Sequence, residues 1–191
     1  MDDRKNVADA PRAAPWSKRL GLMRHPLIWI PYALSIPLAL LAPENAFSTW
    51  PWAKAWFDLV AQFVPIVGNY ARRSAFPEAA GVYFSIVILA APCIFVGALT
   101  TRGLFDEQAF RSARGRRGLL YEVFAWLGVL LFLFLAYFGV VINPGYDFNL
   151  MPINQSRIAL ALFGPLFAGG MSAVCLAASL KLSQLLLGRR G

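Results

Sequence analysis

Charge is scarce in this chain. Only 15% of its 191 residues are Asp, Glu, Lys or Arg, against about 25% in an average globular domain. A soluble domain with so little charge would expose wide apolar patches and aggregate. Histidine is nearly absent, and His25 stands alone. That excludes a multi-histidine metal site and haem held between two histidines, and a Ser–His dyad would have to use His25. Placed after Arg24 and before Pro26 at the start of an apolar run, His25 reads as an interfacial residue. The two cysteines, Cys93 and Cys175, each lie inside an apolar run. They make neither a C-x-x-C motif nor a disulfide framework, and they read as small buried hydrophobes. Nucleophile-elbow, zinc-protease and P-loop motifs are missing. The acids Glu44, Asp58, Glu78 and Asp147 are scattered, with no basic or metal-ligand companion at motif spacing. No catalytic residue, cofactor or metal is therefore expected.

What the chain has instead is apolar surface. Hydrophobic residues make up 58% and the mean hydropathy is +0.55, which excludes disorder. The pattern predicts an all-α polytopic membrane protein of four transmembrane helices plus one outer amphipathic interfacial helix. Residues 1–25 form a polar tail, 26–187 the membrane domain and 188–191 a second tail. Span 1 (26–42) is short, interrupted by Pro31 and Pro37, and reads as a retained span rather than a cleaved signal. Span 2 (79–100) carries Pro92 at its middle, where a kink is expected. Span 3 (119–142) is uncharged from Trp126 to Ile142. Span 4 (158–180), extending as helix toward Leu187, holds Gly164, Ala168, Gly169, Ser172 and Ala173. The pairs Ala168–Ser172 and Gly169–Ala173 have the small-xxx-small spacing that lets helices approach closely in lipid, so span 4 is expected to be the central packing helix. No repeat of 20–50 residues is present.

The connection 43–80 is the longest. Within it, Lys54, Asp58 and Gln62 recur every four residues, while Trp56, Leu59, Val60 and Phe63 fall on another face. That pattern predicts an amphipathic helix over 52–64, lying on the membrane surface or packed on the bundle. Trp50, Trp52 and Trp56 are of the type that prefers the membrane–water boundary. Together with Asp58, Arg72 and Arg73 they form the candidate partner-binding set, and Arg72-Arg73 with Tyr70 would suit an anionic head group or an acidic partner. In the loop 101–118, Arg114, Arg116 and Arg117 are candidate contacts for lipid head groups. Glu122, one turn into span 3, is expected to reach the interface or to pair with Arg116 or Arg117.

The net charge of +8 would point to nucleic acid in a soluble protein. Here the cations follow the positive-inside rule. Fourteen of the eighteen Lys and Arg residues fall in the N-terminal tail, the 101–118 loop and the C-terminal end, and four fall on the other side. No nucleic-acid partner is expected. Both termini are expected in the cytoplasm of a bacterial cell, with the protein multi-pass in the inner membrane. The layout resembles the four-span immunity proteins that protect bacteria from pore-forming colicins of the A type. It matches them in the long first outer segment Pro43–Ala80, the basic turn Arg102–Arg117 and the shorter loop Asn143–Arg157. The likeness is one of layout and carries no residue roles. The leading functional expectation is a non-enzymatic protein that binds another membrane protein, as an accessory subunit or an immunity-type inhibitor. The alternatives are a subunit of a small oligomeric transporter or channel, and a membrane enzyme acting on lipid. A homo-oligomer is compatible with all three.

Overall fold

The computed structural model describes residues 22–101, 104–105, 107–145 and 150–188. The polar tail to residue 21, the last three residues and the side chains of Arg114, Arg116 and Arg117 lie outside the described residues, and so does the expected head-group cluster.

The described residues are helical and form no strands. Helix α1 (Pro26–Leu41) begins with a proline at its first position, where the missing N–H costs nothing. His25 caps it, with Nδ1 accepting the Leu27 N–H at 3.3 Å. That leaves Nε2 as the protonated nitrogen, 3.0 Å from the Thr100 hydroxyl at the end of span 2. At 16 residues, α1 is about 24 Å long, short of the roughly 30 Å hydrocarbon core. It packs against spans 2 and 4.

Three helices among the described residues are long and apolar enough to cross a membrane: Pro77–Thr100, Gly118–Ile142 and Arg157–Leu186. Span 2 comprises α5 (Pro77–Val87) and α6 (Ala91–Thr100), joined by a tight 3-10 turn over Ile88–Ala90. Pro92 causes the break by withholding the N–H that the Ile88 carbonyl would receive. Span 3 is the upper part of α7 (Glu107–Tyr137), which bends sharply at Gly118 (φ 57) and ends in a wide turn over Phe138–Ile142. Span 4 comprises α8 (Arg157–Pro165) and α9 (Met171–Leu186), separated by a wide turn over Leu166–Gly170.

Span 4 is central: 61% of its most apolar window is buried, against 50% for span 2 and 6% for span 3. Span 3 is therefore a peripheral helix that gives most of its side chains to lipid. The small residues of span 4, Gly164, Ala168, Gly169, Ser172 and Ala173, are buried. The backbone leaves the helix at Ala168 (ψ 45) and Gly169 (φ 86). This break faces the one in span 2: a Cβ built on Gly169 would lie 3.2 Å from the Ala91 Cβ.

The core is aromatic and includes a hydroxyl cluster. Tyr83, which is fully buried, donates to the Leu160 carbonyl at 3.0 Å and lies 2.6 Å from the Ser35 hydroxyl. Spans 1, 2 and 4 meet at this point. A Cβ at position 164 would fall 2.1 Å from the Tyr83 hydroxyl, so only glycine allows the phenol to reach span 4.

Candidate functional site: a helical hairpin beside span 2

The segment between spans 1 and 2 is built rather than looped. It holds α2 (Ala46–Thr49), α3 (Pro51–Phe63) and α4 (Pro65–Arg73). Prolines open α3 and α4, and the chain turns at Val64 between them. Helix α3 is the amphipathic helix expected over 52–64. Of its two expected placements, it takes the one packed on the bundle. Its buried face carries Ala53 and Val60.

The contacts of α3 run down span 2. Phe57 lies against Gly81, the Trp56 indole N–H donates to the Ser85 carbonyl at 3.4 Å, and Val64 shares a groove with Ile88, Ala91 and Pro92. Ile88 is at the middle of the 24-residue span. Helix α3, about 20 Å long, therefore descends to half the depth of span 2. Helix α4 then returns. Tyr70 stacks on Phe84 with centroids 4.5 Å apart, and beyond it the Ala75 N–H donates to the Asn154 carbonyl at 2.8 Å. The result is a half-depth helical hairpin. Non-helical backbone at such depth requires burial in protein, and Val64 is packed against the core.

An asparagine network anchors the hairpin. Asn69 Nδ2 donates to the Asn143 carbonyl at 2.7 Å, and Asn143 Nδ2 donates to the Tyr70 hydroxyl at 3.1 Å. The Gly145 N–H donates back to Asn143 Oδ1 at 2.9 Å, and Asn154 Nδ2 donates to the Gly145 carbonyl at 2.9 Å. Gly145 has φ +84, and a Cβ there would lie 2.7 Å from the Asn69 backbone. Both its conformation and its closeness to α4 demand glycine. Nearby, Arg157 Nη1 donates to the Ala42 carbonyl at the end of α1 at 2.6 Å, with its guanidinium 5.4 Å from the Phe76 ring.

The expected partner-binding residues spread over the outside of this hairpin. Trp52 is 59% exposed and stacks with half-buried Trp50 at 6.2 Å. Trp56 is half-buried. Trp52, Trp56 and Leu59 face Ile86 and Leu89 of span 2 across an apolar cleft of about 480 Å³. Asp58 pairs with Lys54 at 2.8 Å, and both side chains are more than half exposed. Arg72 is exposed and donates to Asn69 Oδ1 at 2.5 Å, and Arg73 is exposed as well. Tyr70 departs from expectation. It is fully buried, so it does not join Arg72 and Arg73 in a surface site. It faces inward because α4 turns its apolar side (Ile66, Val67, Tyr70, Ala71) to the core.

Sequence reasoning missed α4 and the asparagine network. The Asn143-Pro144-Gly145 turn was the one visible signal. Its partners stand 74 residues away along the chain. Among the described residues, no three His, Cys, Asp or Glu side chains converge in a group fit for a metal ion. No family model, curated protein or solved structure matches the chain.

Proposed function

We propose that this integral membrane protein works by binding another membrane protein through the α3–α4 hairpin, as an accessory subunit or as an immunity-type inhibitor of a pore-forming protein. The hairpin's exposed side carries the reading. Lys54, Asp58 and Gln62 line one flank of α3 in the open, on a helix that descends beside span 2. Polar side chains left facing lipid are costly, and a partner helix or loop would cover them. The adjoining cleft presents Trp52 and Trp56, a residue type enriched at interface hot spots. In the orientation favoured by fourteen cations against four, both termini are cytoplasmic in a bacterial inner membrane. The hairpin then opens to the outer side, where an incoming or neighbouring membrane protein is met.

The test is purification of the tagged chain in mild detergent, with mass spectrometry of what accompanies it. A stoichiometric membrane protein that is lost from the double variant Trp52→Ala, Leu59→Ala supports the reading. A chain that elutes alone, or with a companion indifferent to that variant, overturns it.

A further inference from the structure

The polar flank of α3 is spread over different depths. Val64 stands beside Ile88, at the middle of span 2, and a helix rises about 1.5 Å per residue. Lys54, ten residues before Val64, therefore lies about 15 Å nearer the outer surface, where its pairing with Asp58 at 2.8 Å costs little. Gln62 lies only about 3 Å above Val64, where the bilayer is hydrocarbon. Its side chain is exposed, and no hydrogen bond joins its carboxamide to another described residue. An amide left open at that depth is costly, because lipid chains offer it neither donor nor acceptor.

The face that carries Gln62 has the form of a helix seat. Trp52, Ala55, Leu59 and Gln62 are all exposed. They follow one another at steps of three, four and three residues, the spacing of a helix–helix seam. The first three wall the apolar cleft against Ile86 and Leu89 of span 2, and Gln62 continues their row at its deep end. The cleft is concave. A second copy of this chain, related by a two-fold axis along the membrane normal, would set cleft against cleft and leave both unfilled. A lipid chain would fill the cleft but brings no hydrogen-bonding group to the depth of Gln62. A transmembrane helix meets both demands. Its backbone groups are already satisfied, its convex surface fills the cleft, and a side chain on it can reach the amide.

We infer that the hairpin receives a transmembrane helix of its partner that bears a carboxamide, or another side chain able both to donate and to accept, near the bilayer centre. Gln62 exchanges hydrogen bonds with that side chain, and the row above it packs against the helix. A polar pair of this kind fixes register and partner choice and adds modestly to affinity. The inference rests on partner binding at the hairpin and names the feature by which the partner is recognised.

The experiment uses the full chain in dioleoyl phosphatidylcholine vesicles, with its tryptophans as energy donors. The probes are dansyl-labelled membrane-spanning peptides of about twenty leucines, kept dilute enough to stay monomeric. One carries Asn at its centre, one carries Asn near its end and one carries none. The central-Asn peptide is expected to bind about three- to tenfold more tightly than the other two, the worth of one hydrogen bond between membrane helices. Gln62→Leu, a change on the exposed face that leaves the core untouched, should erase this preference, and Gln62→Asn should retain it. The inference is overturned by the absence of binding, by equal binding of the three peptides, by a preference that survives Gln62→Leu, or by a chain that dimerises through Gln62 without any peptide. A native companion lost from the Trp52→Ala, Leu59→Ala variant but fully kept by Gln62→Leu would overturn this inference alone and leave partner binding at the hairpin standing.

Discussion

The Ser35 hydroxyl donates to the carbonyl of Ala161 at 2.8 Å, the carbonyl that Pro165, lacking an N–H, cannot serve from four residues on. A proline in span 4 thus creates an orphan acceptor, and a serine on span 1 satisfies it. Away from water the orphan would cost about 1–3 kcal/mol. Ser35→Ala is expected to lower stability by about that amount. Pro165→Ala, which restores the helical donor, should recover part of the loss. Thermal unfolding in detergent of the single and double variants checks it, and additive effects would show that the two residues are not coupled.

Tyr83 and Gly164 form a second such dependence. Because a methyl at position 164 would stand 2.1 Å from the phenol oxygen, Gly164→Ala should destabilise by about 1–3 kcal/mol, the usual range for overpacking. Tyr83→Phe removes the most crowded atom. The double variant should therefore be more stable than the sum of the single effects requires. A Gly164→Ala protein that unfolds like the wild type would show that span 4 does not hold Tyr83 this closely.

Gly145→Ala tests the anchoring of the hairpin. The substitution strains a positive φ and pushes on the α4 backbone. Amide exchange should quicken across Pro51–Arg73 while the inner half of span 2 stays protected. Uniform change across the protein, or none, would mean that the asparagine network does not hold the hairpin.

Reporter fusions follow from the charge distribution. Fusions at Met1 and Gly191 are expected to read cytoplasmic, and one at Asn69 external. A cytoplasmic signal from Asn69 would invert the topology and with it the side from which a partner arrives.

How much of this was legible beforehand varied with the range of the interaction. The three long apolar helices follow from local hydropathy. The kink at Pro92 follows from one missing N–H. The positive φ of Gly169 does not show in the spacing of Ala168–Ser172 and Gly169–Ala173, because glycine serves close approach and positive φ alike and only the backbone tells them apart. Helix α4 escaped notice because its nine residues, bounded by Pro65 and Ser74, hold only two helical turns and end on two arginines. The descent of α3 was open because a Lys54–Asp58–Gln62 stripe suits a surface helix equally well. The Ser35–Ala161 bond joins residues 126 apart, and no periodicity records such a pairing.

The measurement that bears most directly on partner binding is photocrosslinking in native membranes from a benzoylphenylalanine placed at Leu59, in the hairpin cleft, and at Leu130, on span 3. Both positions are exposed. The account predicts a discrete adduct with one membrane protein from Leu59 and none from Leu130, whose surroundings are lipid. The same pattern from both positions, whether a smear or no protein adduct at all, would contradict it.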